Sequence, residues 1–378
     1  MSGFAHLGAY SDWVAHAPGP RARAARPPAK DVHRAVREVL AVPVDAPQGP
    51  QDLRVEHRWV ADGVQGEELS WSVGFGPRTS AWLLAPQGAH EPLPGVLALH
   101  GHDGFKLYGK EKIADGPEPV LPVVAALRAT YSEGRAWAND LAREGFLVLV
   151  PDVFGWGSRR FRLEDMPPLM RVLGQTTAGV APPDEVGGST PQDVAVYNAA
   201  AWHHEHVVEK YCRLLGTTMA AVVSREDRIA LEVLRGRGAG RIGTVGLSGG
   251  GCRSALLRAT SDHVTAAVVV GMMSSYDALL DHDVVNHTWM LLPGDLPGRF
   301  DWPDVVASGA PAPLLVQYAR GDQILPLEGA LAAHGRIGAH YAAAGDPTAY
   351  TGQFVDGPHA FDLAMQRVAF DWLAAHLR

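Results

Sequence analysis

Ser248 stands in Gly246-Leu247-Ser248-Gly249-Gly250, between the apolar run RIGTV and the helical run GCRSALLRAT. A serine on a strand-to-helix turn is held in a strained backbone with its hydroxyl presented, and the flanking glycines permit the tight turn and close approach of a reacting carbonyl. A serine hydroxyl is a poor nucleophile until a base takes its proton, and the base needs a carboxylate to fix its tautomer. Two later segments supply these groups in the order acid, then histidine. PLLVQYARGDQILP puts Asp322 just past an apolar run, and FVDGPHAF puts His359 in a loop shaped by Gly357 and Pro358. Asp356 and Asp362 are the fallback acids.

Acyl transfer also needs donors for the oxyanion of its tetrahedral intermediate, commonly backbone N–H groups. Gly249, directly after the nucleophile at a helix N-terminus, is one candidate. The other is His102, after the run GVLALHG, with Asp103 close enough to compete. Further candidates for the walls of a substrate pocket are Trp156, in VPDVFGWGSR, Met272, at the end of the 264–273 run, His287, and Asp103 itself. Asp152 in the same VPDVFGWGSR stretch is expected to organise its loop by hydrogen bonds.

The elements that must position these groups are legible as alternation. From residue 53 to 86 the pattern has period two with glycine-bearing breaks, which predicts antiparallel strands at one sheet edge. Beyond it, GVLALH (95–100), FLVLVPD (146–152), RIGTVGLS (241–248), VTAAVVVGMM (264–273), PLLVQYARGD (313–322) and YTGQFVDGPH (350–359) read as strands buried on both faces. Helical segments fall between them, among them RAWANDLAREG, stopped by Gly145, REDRIALEVLRG and GCRSALLRAT. Strands alternating with helices give an α/β fold, a mainly parallel twisted sheet of about eight strands with helices on both faces. Residues 1–52 read as an N-terminal arm and helix, loose from Pro18 to Lys30 and then helical with Asp31 as N-cap. Residues 53–378 read as the catalytic domain. Two long stretches, 104–132 and 157–193, interrupt the alternation, and 157–193 is expected to be a loosely packed lid.

These blocks carry a family resemblance over about 95–378. LALHGHDG, RAWANDLAREGFLVLVPDVFGWGSR, GLSGGG, WPDVVASGAPAPLLVQYARGDQILP and DGPHAF resemble the α/β-hydrolase superfamily, most closely its bacterial acetyl-xylan-esterase-like and dienelactone-hydrolase-like branch. The resemblance implies carboxylic-ester hydrolysis by a Ser248, His359, Asp322 triad without a cofactor. The segments before residue 53 and between 157 and 193 depart from the simplest members. The same machinery would serve an acyltransferase, thioesterase, lactonase or peptidase, and a non-catalytic ligand-binding protein is the alternative of another class.

Composition narrows the rest. The chain has 378 residues, 47% of them hydrophobic, and a formal net charge of −8, so it has ample core and no broad phosphate-binding face. A small-molecule ester is the expected partner, with no nucleic acid, no membrane, and a homo-oligomer left open. The two cysteines, Cys212 and Cys252, show no zinc spacing, and no signal peptide or membrane span is read, so a cytoplasmic location is expected. His203, His204 and His206 in AWHHEHVVEK lack the HExxH spacing of a zinc site and read as an exposed helical face, so no metal is expected.

Overall fold

The alternation condenses into one sheet of nine strands in a computed structural model that describes residues 4, 6–41, 48–89, 92–179, 190–280, 282 and 284–378. The strands are β1 (Gln51–Ala61), β2 (Val64–Ser72), β3 (Thr79–Pro86), β4 (Gly95–Leu99), β5 (Leu147–Pro151), β6 (Ile242–Leu247), β7 (Val264–Val270), β8 (Leu314–Ala319) and β9 (Tyr350–Val355). Their spatial order is β1-β2-β3-β5-β4-β6-β7-β8-β9. The pairings from β1 through β3 to β5 are antiparallel and the rest are parallel. The count is nine where about eight were expected, and the 51–86 stretch supplies three of them. The first hairpin closes at Asp62-Gly63, both with positive φ, which is the Asp-Gly chemistry of a two-residue turn.

The central strands are apolar on both faces because helices cover both. Along β4, Leu97 and Leu99 enter one core while Val96 and Ala98 enter the other, the period-two alternation of a strand. The first core includes Val36 of helix Ala29–Val39, Ile229 of Met219–Gly236, Leu256 of Gly249–Thr260 and Ile337 of Leu327–Ala343. The second includes Trp137 and Leu141 of helix Trp137–Arg143, and Phe370 and Leu373 of the last helix, Leu363–Leu377. No helix among the described residues is long and apolar enough to cross a membrane.

Two expectations about the extra segments need correction. The Pro18–Lys30 stretch is docked rather than loose. It contains helix Pro18–Ala24, whose buried Arg23 pairs with Asp277 and donates to the Pro297 carbonyl, while Arg336 donates to the carbonyls of Arg23 and Ala25. The next helix starts at Ala29 with Pro28 as its N-cap, so Asp31 lies in its first turn instead. Proline's fixed φ suits a helix start, and Pro18 and Pro28 stand at the starts of two helices in a run whose Pro content had read as loose.

The second correction concerns 157–193. Residues 180–189 of it lie outside the described residues. Its described part holds helix Pro168–Ala178, packed on the long helix Pro191–Leu214 with close contact rather than a loose fit. Met166 and Met170 are buried with Phe105, Leu107 and Tyr197 in a third apolar cluster, whereas Leu169 (62% exposed) and Val172 (54%) face solvent. The two helices touch at Gly174, where a Cβ would lie 2.7 Å from Ala200 Cβ and 2.8 Å from the Ala200 nitrogen. This contact is testable because two effects oppose. Gly174→Ala gains about 1 kcal/mol of helix propensity, but overpacking against a backbone atom costs about 1–3 kcal/mol. The variant should therefore be less stable than wild type in urea unfolding, and a gain in stability would show that these helices have room to part.

Candidate functional site

The sheet order reverses at β4, since β5 follows it in sequence on one side and β6 flanks it on the other. Ligands in open α/β sheets bind outside the carboxyl ends of the strands at such a switch point. The residues after β4 are His100, Gly101 and His102, and the residue after β6 is Ser248.

Ser248 has φ 56° and ψ −122°, one of the described non-glycine residues in the left-handed half of backbone space. Its N–H donates to the Val270 carbonyl (2.8 Å), and its own carbonyl accepts from Cys252 N–H (2.9 Å), the first turn of helix Gly249–Thr260. The flanking glycines are required by closeness rather than by their own φ. A Cβ at Gly250 would stand 2.0 Å from the Leu99 carbonyl oxygen, and one at Gly246 would stand 2.4 Å from the carbonyl carbon of Gly250. At Gly249 a Cβ would lie 2.7 Å from the His102 backbone nitrogen. The two candidate oxyanion donors are thus neighbours beside the serine.

Asp322 and His359 lie together at the ends of β8 and β9. His359 Nδ1 donates to Asp322 Oδ2 (2.6 Å), and the other carboxylate oxygen accepts from the N–H groups of Ile324 (2.8 Å) and Leu325 (3.1 Å). Arg320 N–H donates to the Val355 carbonyl and Gly321 N–H to that of Gly357, so ladder bonding continues past the strand ends and holds both loops together. The His359 ring sits over Gly271, where a Cβ would be 3.3 Å from its Cε1, and Gly271 directly follows the Val270 that accepts from Ser248. Tyr131 meets the ring edge-on at 6.4 Å, and its carbonyl accepts from Phe361 N–H (2.8 Å). The fallback acids lie elsewhere: Asp356 is 96% exposed, and Asp362 caps the last helix.

The loop after β4 is built on buried charge. Lys112 pairs with Asp103 (2.8 Å) and donates to the Phe105 carbonyl (3.1 Å) and to that of Gly101. Lys110 pairs with Asp152 (3.0 Å), which also accepts from the N–H groups of Lys110 (2.8 Å) and Ser158 (2.9 Å), the loop-organising role expected of it. Burial by itself would raise the Asp152 carboxyl, but Lys110 and these N–H groups hold it below the usual range. Burial also pushes the neighbouring His100 well down, so its ring stays neutral. Asp103, at φ 57°, adopts the left-handed turn that carries the chain away from His102.

Of the remaining candidates, Trp156 and Met272 are buried and His287 is half-buried. Trp156, read as a pocket wall, is 1% exposed and lies behind His102, its ring 5.3 Å from that imidazole and the Lys106 ammonium 4.2 Å over its face. Met272 is buried against helix Gly249–Thr260 at Gly251, and its carbonyl accepts from Trp302 Nε1 (3.0 Å). His287 is half-buried in the segment whose next two residues, Thr288 and Trp289, both donate to Glu205. An apolar cavity of about 620 Å³, lined by Phe75, Phe154, Phe161, Val208 and Tyr211 among others, includes none of the three residues Ser248, His359 and Asp322.

One sequence expectation fails outright. The HHEH stretch is not an exposed face, because His204 and Glu205 are both buried on helix Pro191–Leu214. Glu205 accepts from His102 Nε2 (2.6 Å), Lys106 Nζ, Thr288 Oγ1 (3.0 Å) and Trp289 N–H (3.0 Å). The signal available in the sequence was three lysines in GFKLYGKEK, a loop that cannot be buried without carboxylates from elsewhere. No group of three or more His, Cys, Asp or Glu among the described residues has the arrangement of a metal site.

The Lys110–Asp152 pair gives a pH-dependent expectation. A carboxyl held low in the fold contributes stability that is present above its unfolded value near 4 and is lost as pH falls through the lower folded value. Asp152→Asn, which leaves the buried Lys110 cation with Glu111 (3.1 Å) as its remaining charged partner, should cost about 3 kcal/mol at pH 7, the low end for a broken buried pair. The deficit relative to wild type should shrink as pH falls below about 4, where the unfolded chain takes up a proton that folded Asp152 does not yet bind, and should stop shrinking below the lower folded value. Parallel stability curves down to pH 2 would show that this pair is not the source.

Comparison with known proteins agrees with this architecture. No family model matches the chain. A Bacillus subtilis (strain 168) protein described as a hydrolase, YtaP, is 21% identical over 313 residues, covering 82% of this chain and 86% of that protein. Among solved structures, methylesterase BT1017 superposes with a TM-score of 0.60 at 16% identity over 92% of this chain, which spans 63% of that chain's length. A Bacteroides fragilis NCTC 9343 protein described as an acetyl xylan esterase gives a TM-score of 0.61 at 16% identity, covering 86% of this chain and 74% of that one. A glucuronoyl esterase from Solibacter usitatus gives 0.58 at 14% identity, covering 93% and 92%. With the nine-stranded sheet and its helices on both faces, these likenesses establish that the chain has the α/β-hydrolase fold.

Proposed function

We propose that this protein is a serine-dependent carboxylic-ester hydrolase that acts on a small-molecule ester through an acyl-enzyme. The observation that carries the reading is the Asp322–His359 hydrogen bond at 2.6 Å, with the His359 ring over Gly271, next in the chain to the Val270 whose carbonyl takes the N–H of Ser248, a serine held at positive φ. In this reading Ser248 Oγ attacks the ester carbonyl while His359 Nε2 takes its proton, and the Nδ1–H bond to Asp322 stabilises the imidazolium that forms. Negative charge develops on the carbonyl oxygen, where the N–H groups of Gly249 and His102 receive it. His359 then returns the proton to the departing alcohol, and the same steps with water release the acid. The neighbours' names specify different esters, methyl, acetyl xylan and glucuronoyl, which supports ester hydrolysis as the chemistry common to the scaffold. Cys212 and Cys252 are both free thiols, which supports a reducing, cytoplasmic setting.

Ser248→Ala should lower kcat on a short p-nitrophenyl ester by at least about three orders of magnitude without loss of fold, and His359→Ala should match it within about tenfold, since the two act as a unit. Wild type should take up one fluorophosphonate equivalent on Ser248, located by peptide mass spectrometry. A Ser248→Ala protein that keeps most of its activity would end this reading.

A further inference from the structure

We propose that Glu205 is a positioning residue for the oxyanion hole: by gripping the His102 imidazole from the long helix Pro191–Leu214, it fixes the His102 backbone N–H against Gly249. The proposal rests on the esterase reading above. It starts from His102, whose imidazole meets buried Glu205 while its backbone nitrogen lies against Gly249. Nδ1 accepts from Gly104 N–H (3.0 Å), so the proton of the neutral ring sits on Nε2 and points at Glu205 Oε2 (2.6 Å). Trp156 packs against the ring edge at 5.3 Å and directs its Nε1 to the His102 carbonyl (3.4 Å). The imidazole is thus held at both nitrogens and on one side, and with it the φ and ψ of a residue whose N–H must point at a developing charge. A donor fixed before reaction is worth far more than one that must reorient.

Glu205 itself is over-determined. It is 4% exposed, and its two oxygens take four donors from two parts of the chain: His102 and Lys106 of the loop after β4, and the adjacent Thr288 and Trp289. Burial would raise its carboxyl, but Lys106 foremost and His102 next hold it well below the carboxylate range, so the acceptor stays ionised. Two neutral residues could fill this volume with less desolvation. A carboxylate with four donors instead fixes one geometry, and that geometry ends at the oxyanion donor.

Two charge-balanced variants separate positioning from mere stability, because neither leaves a buried charge behind. In Glu205→Gln/Lys106→Met the amide oxygen still accepts from His102 Nε2–H, and kcat on a short p-nitrophenyl ester should stay within about fivefold of wild type. In Glu205→Leu/Lys106→Met no acceptor remains, and kcat should fall at least about thirtyfold with KM within about threefold, the split expected when a transition-state contact loosens. The inhibition constant of an aryl trifluoromethyl ketone should rise in parallel with the loss. Ser248 Oγ adds to its carbonyl carbon as the hydroxyl proton passes to His359, and the resulting hemiketal oxyanion occupies the hole. As a check on the unaltered protein, histidine nitrogen NMR should show His102 as the Nε2–H tautomer. Equal kcat in the two folded variants, or an Nδ1–H tautomer in wild type, would overturn the proposal. Neither result would touch the parent reading, which fails separately if wild-type Ser248 takes no fluorophosphonate.

Discussion

The site depends on one backbone conformation. A non-glycine residue at φ 56° and ψ −122° costs about 1–3 kcal/mol and persists only where its surroundings over-determine it. Here β7 takes its N–H, the following helix takes its carbonyl, and the two nearest strands press on glycines that admit no Cβ. The register of β4, β6 and β7 is therefore not free to slip. A shift of one residue would turn the alternating Leu97 and Val96 rows to the wrong cores and put Ser248 out of reach of Val270. The apolar strands on both sides of the sheet are what make the strained serine tolerable.

Around that point the chain uses buried charge where it lacks apolar side chains. The segment from His100 to Lys112 leaves β4 over the centre of the sheet carrying Lys106, Lys110 and Lys112, all buried. Each finds a carboxylate on a different element: Glu205 on the long helix, Asp152 after β5, and Asp103 within the loop. Beneath it, Arg253 on the nucleophile helix pairs with Asp227 (2.6 Å) and also reaches the His100 carbonyl (3.3 Å). Such pairs add little net stability compared with well-packed hydrocarbon, because desolvation offsets most of their attraction. What they supply is direction, since each donor and acceptor is satisfied in one arrangement only.

This division explains what could be read in advance. The strands, the helices between them, and the order serine, acid, histidine follow from local patterns: period-two or fully apolar runs, helical spacing, and turn glycines. That Asp322 and His359 come together was legible because each stands at a strand end, where topology does the positioning. Glu205 was not, since its contact with His102 joins residues 103 apart, and nothing in AWHHEHVVEK marks which face of a helix turns inward when both faces carry polar residues. The N-terminal arm failed for a related reason. Its Pro and Arg content resembles a linker, and only the docking of Arg23 against Asp277 and Pro297, more than 250 residues away, makes it a helix. The cover at 157–193 looked loose because a glycine such as Gly174 signals a break locally, whereas here it marks the closest approach of two helices.

The proposed acid–base pair and the proposed oxyanion donors are held by separate networks. Asp322 and His359 hang from β8 and β9 through backbone bonds between their loops, with Gly271 beneath the ring. His102 is held from the opposite side of the switch point, by side chains on the long helix and on the loops after β4 and β5. The two networks meet at Ser248 and the first turn of its helix. A substitution in one therefore need not disturb the other, because contacts that share no partner act independently to within a few tenths of a kcal/mol. The segments that differ most from a minimal sheet-and-helix domain, the long helix and the 157–178 cover packed on it, all sit on the oxyanion side. Chain added on that side can grip the donor loop and shape what lies above it while the proton-transfer geometry stays set by the sheet.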